Sequence, residues 1–325
     1  MPKAIVCREL GAPEGLRLEQ FESKALKPGQ LRVAVRAAGI NFPDILMAAG
    51  EYQLKPELPF TPGMEAAGDV SEIASDVPGI AVWDRVIVKL RHGGYADEVV
   101  VTPAQLTPLP STFDYAEGAT FLAAHGTAHH ALVDRGQIGV GEVLLVHGAG
   151  GGVGLAAVEI GKLLGATVIA AASSEEKLAV AKARGADHGV LYGAGPFRDA
   201  VKRLTDGKGA DVVFDPVGGE IFEQSLRCIN WGARLLVIGF TGGIGVAKTN
   251  LVLIKGASVL GVRAGEAARR DPKIGEARVA QLLSWAEAGK IRPNVSHRLP
   301  LEDVAMAMRL LTERKAIGRV ALTMG

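Results

Sequence analysis

Cysteine is nearly missing from this chain: Cys7 and Cys228 are the only two in 325 residues, and they lie far apart. That excludes a disulfide framework and a multi-cysteine zinc site, and both thiols are expected as buried packing residues. Neither charge is in excess, with 36 Lys and Arg against 35 Asp and Glu and a net charge of +1, so no long-range field favours nucleic acid or an anionic membrane. No run approaches the roughly 20 apolar residues of a membrane span, and MPKAIVCREL lacks the apolar core of a signal peptide. A cytoplasmic protein is expected. The elbow pattern G-x-S-x-G is absent and neither cysteine has an activating neighbour in sequence, so serine or cysteine nucleophile chemistry has no support.

What is present is length enough for two domains, 48% hydrophobic residues, and 42 glycines spread at element ends without a repeat, the mark of many tight connections. The chain is organised around EVLLVHGAGGGVG at 142 to 154. Val143 to Val146 read as a buried strand that feeds a glycine-rich turn. Val153, Ala156, Ala157, Ile160, Leu163 and Leu164 then recur on one helical face, and Gly165 closes the helix. A strand, a turn that brings backbone close to an anion, and a helix N-terminus with free N–H groups together read as a cradle for a dinucleotide pyrophosphate. Two registers fit, Ala149-Gly151-Gly154 and Gly148-Gly151-Gly154. The alternative is a glycine-rich turn that binds nothing; the flanking strand and helix weigh against it.

Before the cradle the chain alternates short β patterns with Pro and Gly, which predicts a compact β-rich unit with loops at its rim. At Asp114, an expected N-cap, an alanine-rich helical stretch begins and runs to Gly136. After the cradle helix, strands and helices alternate through SVLGV, which predicts a parallel, doubly wound sheet. The tail reads as a strand over Ile291 to Leu299, an amphipathic helix through Val304 and Met308, and a last strand in GRVALTM. Its β–α–β pattern has no cradle, so it is expected to return to the first domain. The expected division is therefore 1–121 with 290–325 as a β-rich domain and 122–289 as the dinucleotide domain, the cofactor lying in the cleft between them.

At the end of the second dinucleotide strand, where an acidic residue would bind the ribose of NAD, the chain reads Ala170-Ala171-Ala172-Ser173-Ser174. The missing carboxylate, with Ser173, Ser174 and Lys177 close by, favours NADPH. Ser173 is equally readable as the cap of a capping box with Glu176, and Lys177 as a solvated helix residue. His125 and His129 share a helical face with His130 beside them, but no glutamate or further ligand completes a metal set. One or two of these imidazoles are expected to line the cofactor cleft. Hydride chemistry is what remains.

The motifs GINFPD at 39–44, PFTPGMEAAG at 59–68, GGYADEVVV at 93–101, AAHGTAHHAL at 123–132, HGAGGGVG at 147–154 and FDPVGG at 214–219 together resemble the medium-chain dehydrogenase/reductases, and within them the zinc-free NADPH:quinone oxidoreductases related to zeta-crystallin. The resemblance covers nearly the whole chain and implies a GroES-like β-rich catalytic domain built from both chain ends, with an inserted Rossmann domain. Asn41 and Met64 stand where zinc-dependent members carry cysteine and histidine, and the cysteine-rich lobe is missing between Asp84 and Gly94, so no metal is expected.

By the same resemblance Asn41, Tyr52 and Thr127 sit near nicotinamide and substrate. Gly151, Gly152, Val153 and Gly154 hold the pyrophosphate, Ser173, Lys177 and Tyr192 hold the adenosine phosphate, and Phe240, Arg263 and Arg319 make further cofactor contacts. Core or loop-packing roles remain open for Tyr52, Phe240 and Tyr192. The implied reaction is hydride transfer to a quinone or similar conjugated acceptor by a homodimer that pairs around Ser258 to Val262. Two alternatives stay open: reduction of an enoyl thioester or enone, and a non-catalytic NADPH-binding, crystallin-like role.

Overall fold

The computed structural model describes every residue except Ala194. Two compact units are present, one of residues Met1–Ala123 with Arg292–Gly325 and one of Ala124–Ile291.

The first unit is built on the strand Leu31–Gly39. It pairs antiparallel with Glu65–Ile73, Glu98–Val101 and the C-terminal strand Arg319–Thr323, and the sheet continues through Arg85–Lys89 to Leu106–Pro108. Leu31, Val33 and Val35 alternate into an apolar core with Ile5, Tyr95, Met308 and Leu322. The chain end contributes a parallel pair, Val295–Pro300 with Arg319–Thr323, joined through the helix Val304–Thr312. The first of these strands starts later than the apolar pattern suggests. Pro293 has no N–H for a ladder, and regular pairing begins at Val295.

The second unit holds a six-stranded parallel sheet in the spatial order His188–Leu191, Thr167–Ala172, Val143–Val146, Ala210–Asp215, Ile229–Val237, Ser258–Gly261. Numbered along the unit this is 3-2-1-4-5-6, the doubly wound order that places a crevice between strands 1 and 4, where the strand order reverses. Leu144, Leu145, Val168, Ile169, Val212 and Val213 are fully buried, as strands covered on both faces require. The helix Gly152–Leu163 buries Leu155, Ala156, Ala157 and Ile160.

The alanine-rich stretch after Asp114 is not one helix. Asp114 caps a short helix, Tyr115–Gly118, accepting from the Glu117 N–H at 2.9 Å. Thr120 then turns its hydroxyl back onto the Ala116 carbonyl at 2.8 Å, which competes with helix continuation. A second helix spans Leu122–His129 and widens into a π-helical turn over His130–Arg135. Cys7 and Cys228 are both buried and free. Among the described residues no helix is long and apolar enough to cross a membrane.

Candidate active site and cofactor cradle

In the second unit the strand Val143–Val146 ends at His147, and the chain passes through Gly148, Ala149 and Gly150 to Gly151, the N-cap of Gly152–Leu163. The Gly151 N–H closes the turn on the Gly148 carbonyl at 2.9 Å. Gly148 has φ +57°, and a Cβ at Gly154 would lie 2.2 Å from the Gly148 oxygen, so helix and turn meet at a distance only glycine permits. The backbone N–H groups of Gly152, Val153 and Gly154 open the helix and have no partner within it. This geometry fits a pyrophosphate: small residues keep the approach clear and the positive end of the helix faces it.

Lys177 crosses this turn. A Cβ at Gly150 would lie 2.6 Å from Lys177 Cβ and Cγ, so the aliphatic stem lies against the Gly150 peptide. Its Nζ donates to Ser173 Oγ at 3.3 Å, just past the end of the strand Thr167–Ala172. An ammonium and a hydroxyl are thus presented together at the second strand's carboxyl end. The cap of the following helix, Glu175–Ala183, is Ser174 and not Ser173; Ser174 accepts from the Lys177 N–H, also at 3.3 Å. With capping done by its neighbour, the exposed Ser173 is left to Lys177.

Tyr192 lies beyond the third strand with its hydroxyl turned inward, 2.7 Å from His147 Nδ1 and 3.3 Å from the Gly148 nitrogen. Phe240 is exposed, and Arg263 is the exposed N-cap of the helix Ala264–Arg270. Thr127 is half-buried on Leu122–His129. Asp215, buried at the end of its strand, accepts from the Val217 and Gly218 N–H groups at 2.8 and 2.9 Å and shapes the FDPVGG turn.

Each of the three histidines has a side-chain partner. His125 reaches Glu159 at 3.1 Å, His129 reaches Gln281 at 2.6 Å, and His130 reaches Asp134 at 2.7 Å beside Arg278, all within the second unit. Burial pushes His129 and His130 below the ordinary imidazole range. Among the described residues no three His, Cys, Asp or Glu side chains converge where a metal ion could sit.

The first unit gathers Asn41 and Arg319, 278 positions apart, in one buried cluster. Asn41 is the N-cap of Phe42–Ala48, and its own N–H donates to Asp44 Oδ2 at 2.9 Å. Arg319 Nη2 donates to Asn41 Oδ1 at 2.8 Å and lies 3.7 Å from Glu65 Oε2. The Tyr95 hydroxyl donates to Asp44 at 2.9 Å. Arg319 is thus buried behind Asn41, holding its carboxamide in place. Burial pushes Glu65 up to about 7 and Asp44 up to about 6, against the pull of the Arg319 charge, and pushes Arg319 below its ordinary value. Tyr52 is half-buried against the apolar core of this unit, as is Met64. Sequence reading missed Asp44, Glu65, Tyr95 and His147. The Asn-x-x-Asp spacing of a capping box signals Asp44, and the position before the first cradle glycine signals His147.

Comparison with known proteins agrees with this arrangement. The alcohol dehydrogenase GroES-like domain matches residues 27–111 and the zinc-binding dehydrogenase domain residues 152–285. A quinone oxidoreductase-like protein 2 homolog from Nematostella vectensis is 37% identical over 324 residues, covering 98% of this chain and 88% of that protein. A quinone oxidoreductase from Pseudomonas syringae superposes with a TM-score of 0.90 at 30% identity, covering 99% of this chain and 100% of that one. A mycobacterial protein complexed with NADPH superposes with a TM-score of 0.89 at 28% identity, with 99% of both chains covered. This chain belongs to the medium-chain dehydrogenase/reductase superfamily, in its quinone oxidoreductase-like family, and is an oxidoreductase whose fold binds a nicotinamide cofactor.

Proposed function

We propose that the protein is a zinc-independent, NADPH-dependent reductase of quinones or similar conjugated acceptors. When bound, the reduced nicotinamide supplies the hydride. The observation that carries the choice of NADPH is the Lys177 ammonium held beside Ser173, at a strand end with no carboxylate to repel a 2′-phosphate. Gly151, Gly152, Val153 and Gly154 bind the pyrophosphate through the helix N-terminus, and Thr127, Phe240 and Arg263 contribute further contacts from the same unit. Asn41 and Tyr52 belong to the other unit and are assigned to the nicotinamide and substrate, with Arg319 acting through Asn41.

A metal-independent reaction is supported by the chemistry of the donors. Asn41 is a carboxamide and Met64 a thioether, and the carboxamide oxygen already accepts from a guanidinium whose charge repels a dication. Without a Lewis acid, an acceptor that delocalises incoming charge is the substrate these groups suit, and catalysis is mainly by positioning.

The test is cofactor preference. Lys177→Ala removes one charge-assisted contact worth about 1.5 to 3 kcal/mol, so the ratio of NADH to NADPH dissociation constants should fall about ten-fold or more. Equal affinity for both cofactors in the unmutated protein would show that the strand-end residues have another role.

A further inference from the structure

We infer that His147 is a positioning residue: it holds the Tyr192 hydroxyl inward and, through it, the N–H of Gly148, the residue on which the pyrophosphate turn is built. The direction of every proton in this chain of contacts follows from one end. Ser225 Oγ lies 2.7 Å from the Ile221 carbonyl oxygen, which can only accept, so the single hydroxyl proton goes there. Ser225 Oγ must then accept from His147 Nε2, 2.8 Å away. His147 Nδ1 is left as the lone-pair nitrogen, and the Tyr192 hydroxyl at 2.7 Å donates to it. The tyrosine oxygen in turn accepts from the Gly148 N–H at 3.3 Å.

Packing enforces this arrangement. The imidazole is fully buried, stacked on the Tyr192 ring at 6.0 Å and edge-on to Phe197 at 5.1 Å. Burial lowers its pKa to about 3, so a second ring proton, which would turn Tyr192 from donor to acceptor, is absent. The Gly148 carbonyl, one Cα beyond the Gly148 N–H, anchors the Gly151 N–H and abuts Gly154, so the residue that Tyr192 steadies is the base of the turn.

The inference deepens the proposed NADPH reading and rests on it. Tyr192 has no proton to offer a 2′-phosphate, so its hydroxyl contributes to both cofactors equally, and selectivity belongs to Lys177 and Ser173. Tyr192→Phe should weaken NADPH and NADH binding by the same factor, about two- to ten-fold for one lost hydrogen bond, with their ratio unchanged. Ser225→Ala should do the same more weakly. A selective loss for NADPH, as expected of Lys177→Ala, would overturn the inference, as would unchanged affinity for both. If the unmutated protein shows no preference, the NADPH reading fails, yet equal weakening of both cofactors still tests the role of Tyr192. Nitrogen NMR of the imidazole in the unmutated protein gives a readout that needs no variant. Nε2 should stay protonated and Nδ1 bare across the range in which a free imidazole titrates; a protonated Nδ1 would refute the chain of donors.

Discussion

Replacing Glu65 by Gln should change how stability depends on pH, and the size of the change follows from the burial of the carboxyl group. Glu65 is 2% exposed; Oε1 accepts from the Ala123 N–H at 3.1 Å, and Oε2 has no hydrogen-bond partner. Desolvation raises its pKa from 4.5 to about 7. Between those values the folded chain keeps a proton that the unfolded chain has lost. The stabilisation is therefore complete below the unfolded pKa and is lost as pH rises through the folded one. At 1.36 kcal/mol for each pH unit, the difference from 4.5 to about 7 is worth about 3 kcal/mol. Gln preserves the shape and the oxygen that Ala123 needs, but does not titrate. Relative to the unmutated protein, the variant should gain about 3 kcal/mol between about pH 4 and about pH 8. Asp44, raised to about 6 by burial, titrates in both proteins and largely cancels. Hydrogen exchange of the slowest amides in Glu65–Ile73, compared at matched pH so that intrinsic rates cancel, reads the difference. A constant difference across this range would refute the reasoning.

Two other predictions concern the second unit. Gly154→Ala places a methyl 2.2 Å from the Gly148 oxygen and 2.9 Å from Ala149 Cα, both backbone atoms, so calorimetry should show cofactor binding lost and the melt lowered by about 1 to 3 kcal/mol. The edge strand Ser258–Gly261 pairs only with Ile229–Val237 among the described residues, and Val259, Leu253 and Ile254 are exposed around it. Such an edge is a pairing liability, and we propose that a second copy covers it. Sedimentation at micromolar concentration should show a dimer, and Val259→Lys should return it to monomer.

The parallel sheet was legible because strands buried on both faces must be continuous apolar runs, as Val143 to Val146 and Thr167 to Ala172 are. The cradle was legible because close backbone approach requires glycine. Less legible was anything decided by a distant partner. Arg319 is expected as a cofactor contact by resemblance alone, and only the antiparallel pairing of its strand with Leu31–Gly39 brings it to Asn41. Nothing in the sequence around Tyr192 signals that its hydroxyl lies 2.7 Å from His147 Nδ1. His125, His129 and His130 have a suggestive spacing, but Glu159, Gln281 and Asp134 claim them. Local competition explains the smaller differences: two adjacent serines compete for one cap, and Thr120 breaks a stretch that composition reads as a single helix.

The proposed activity itself is most directly tested by following oxidation of the reduced nicotinamide by the purified, chelator-treated protein, offered a panel of quinones and, in parallel, a panel of enoyl thioesters. The expected result is NADPH consumption that depends on the quinone, survives chelation, and is much slower with NADH. Turnover confined to the thioesters, activity restored only by added zinc, or no turnover on either panel would contradict it.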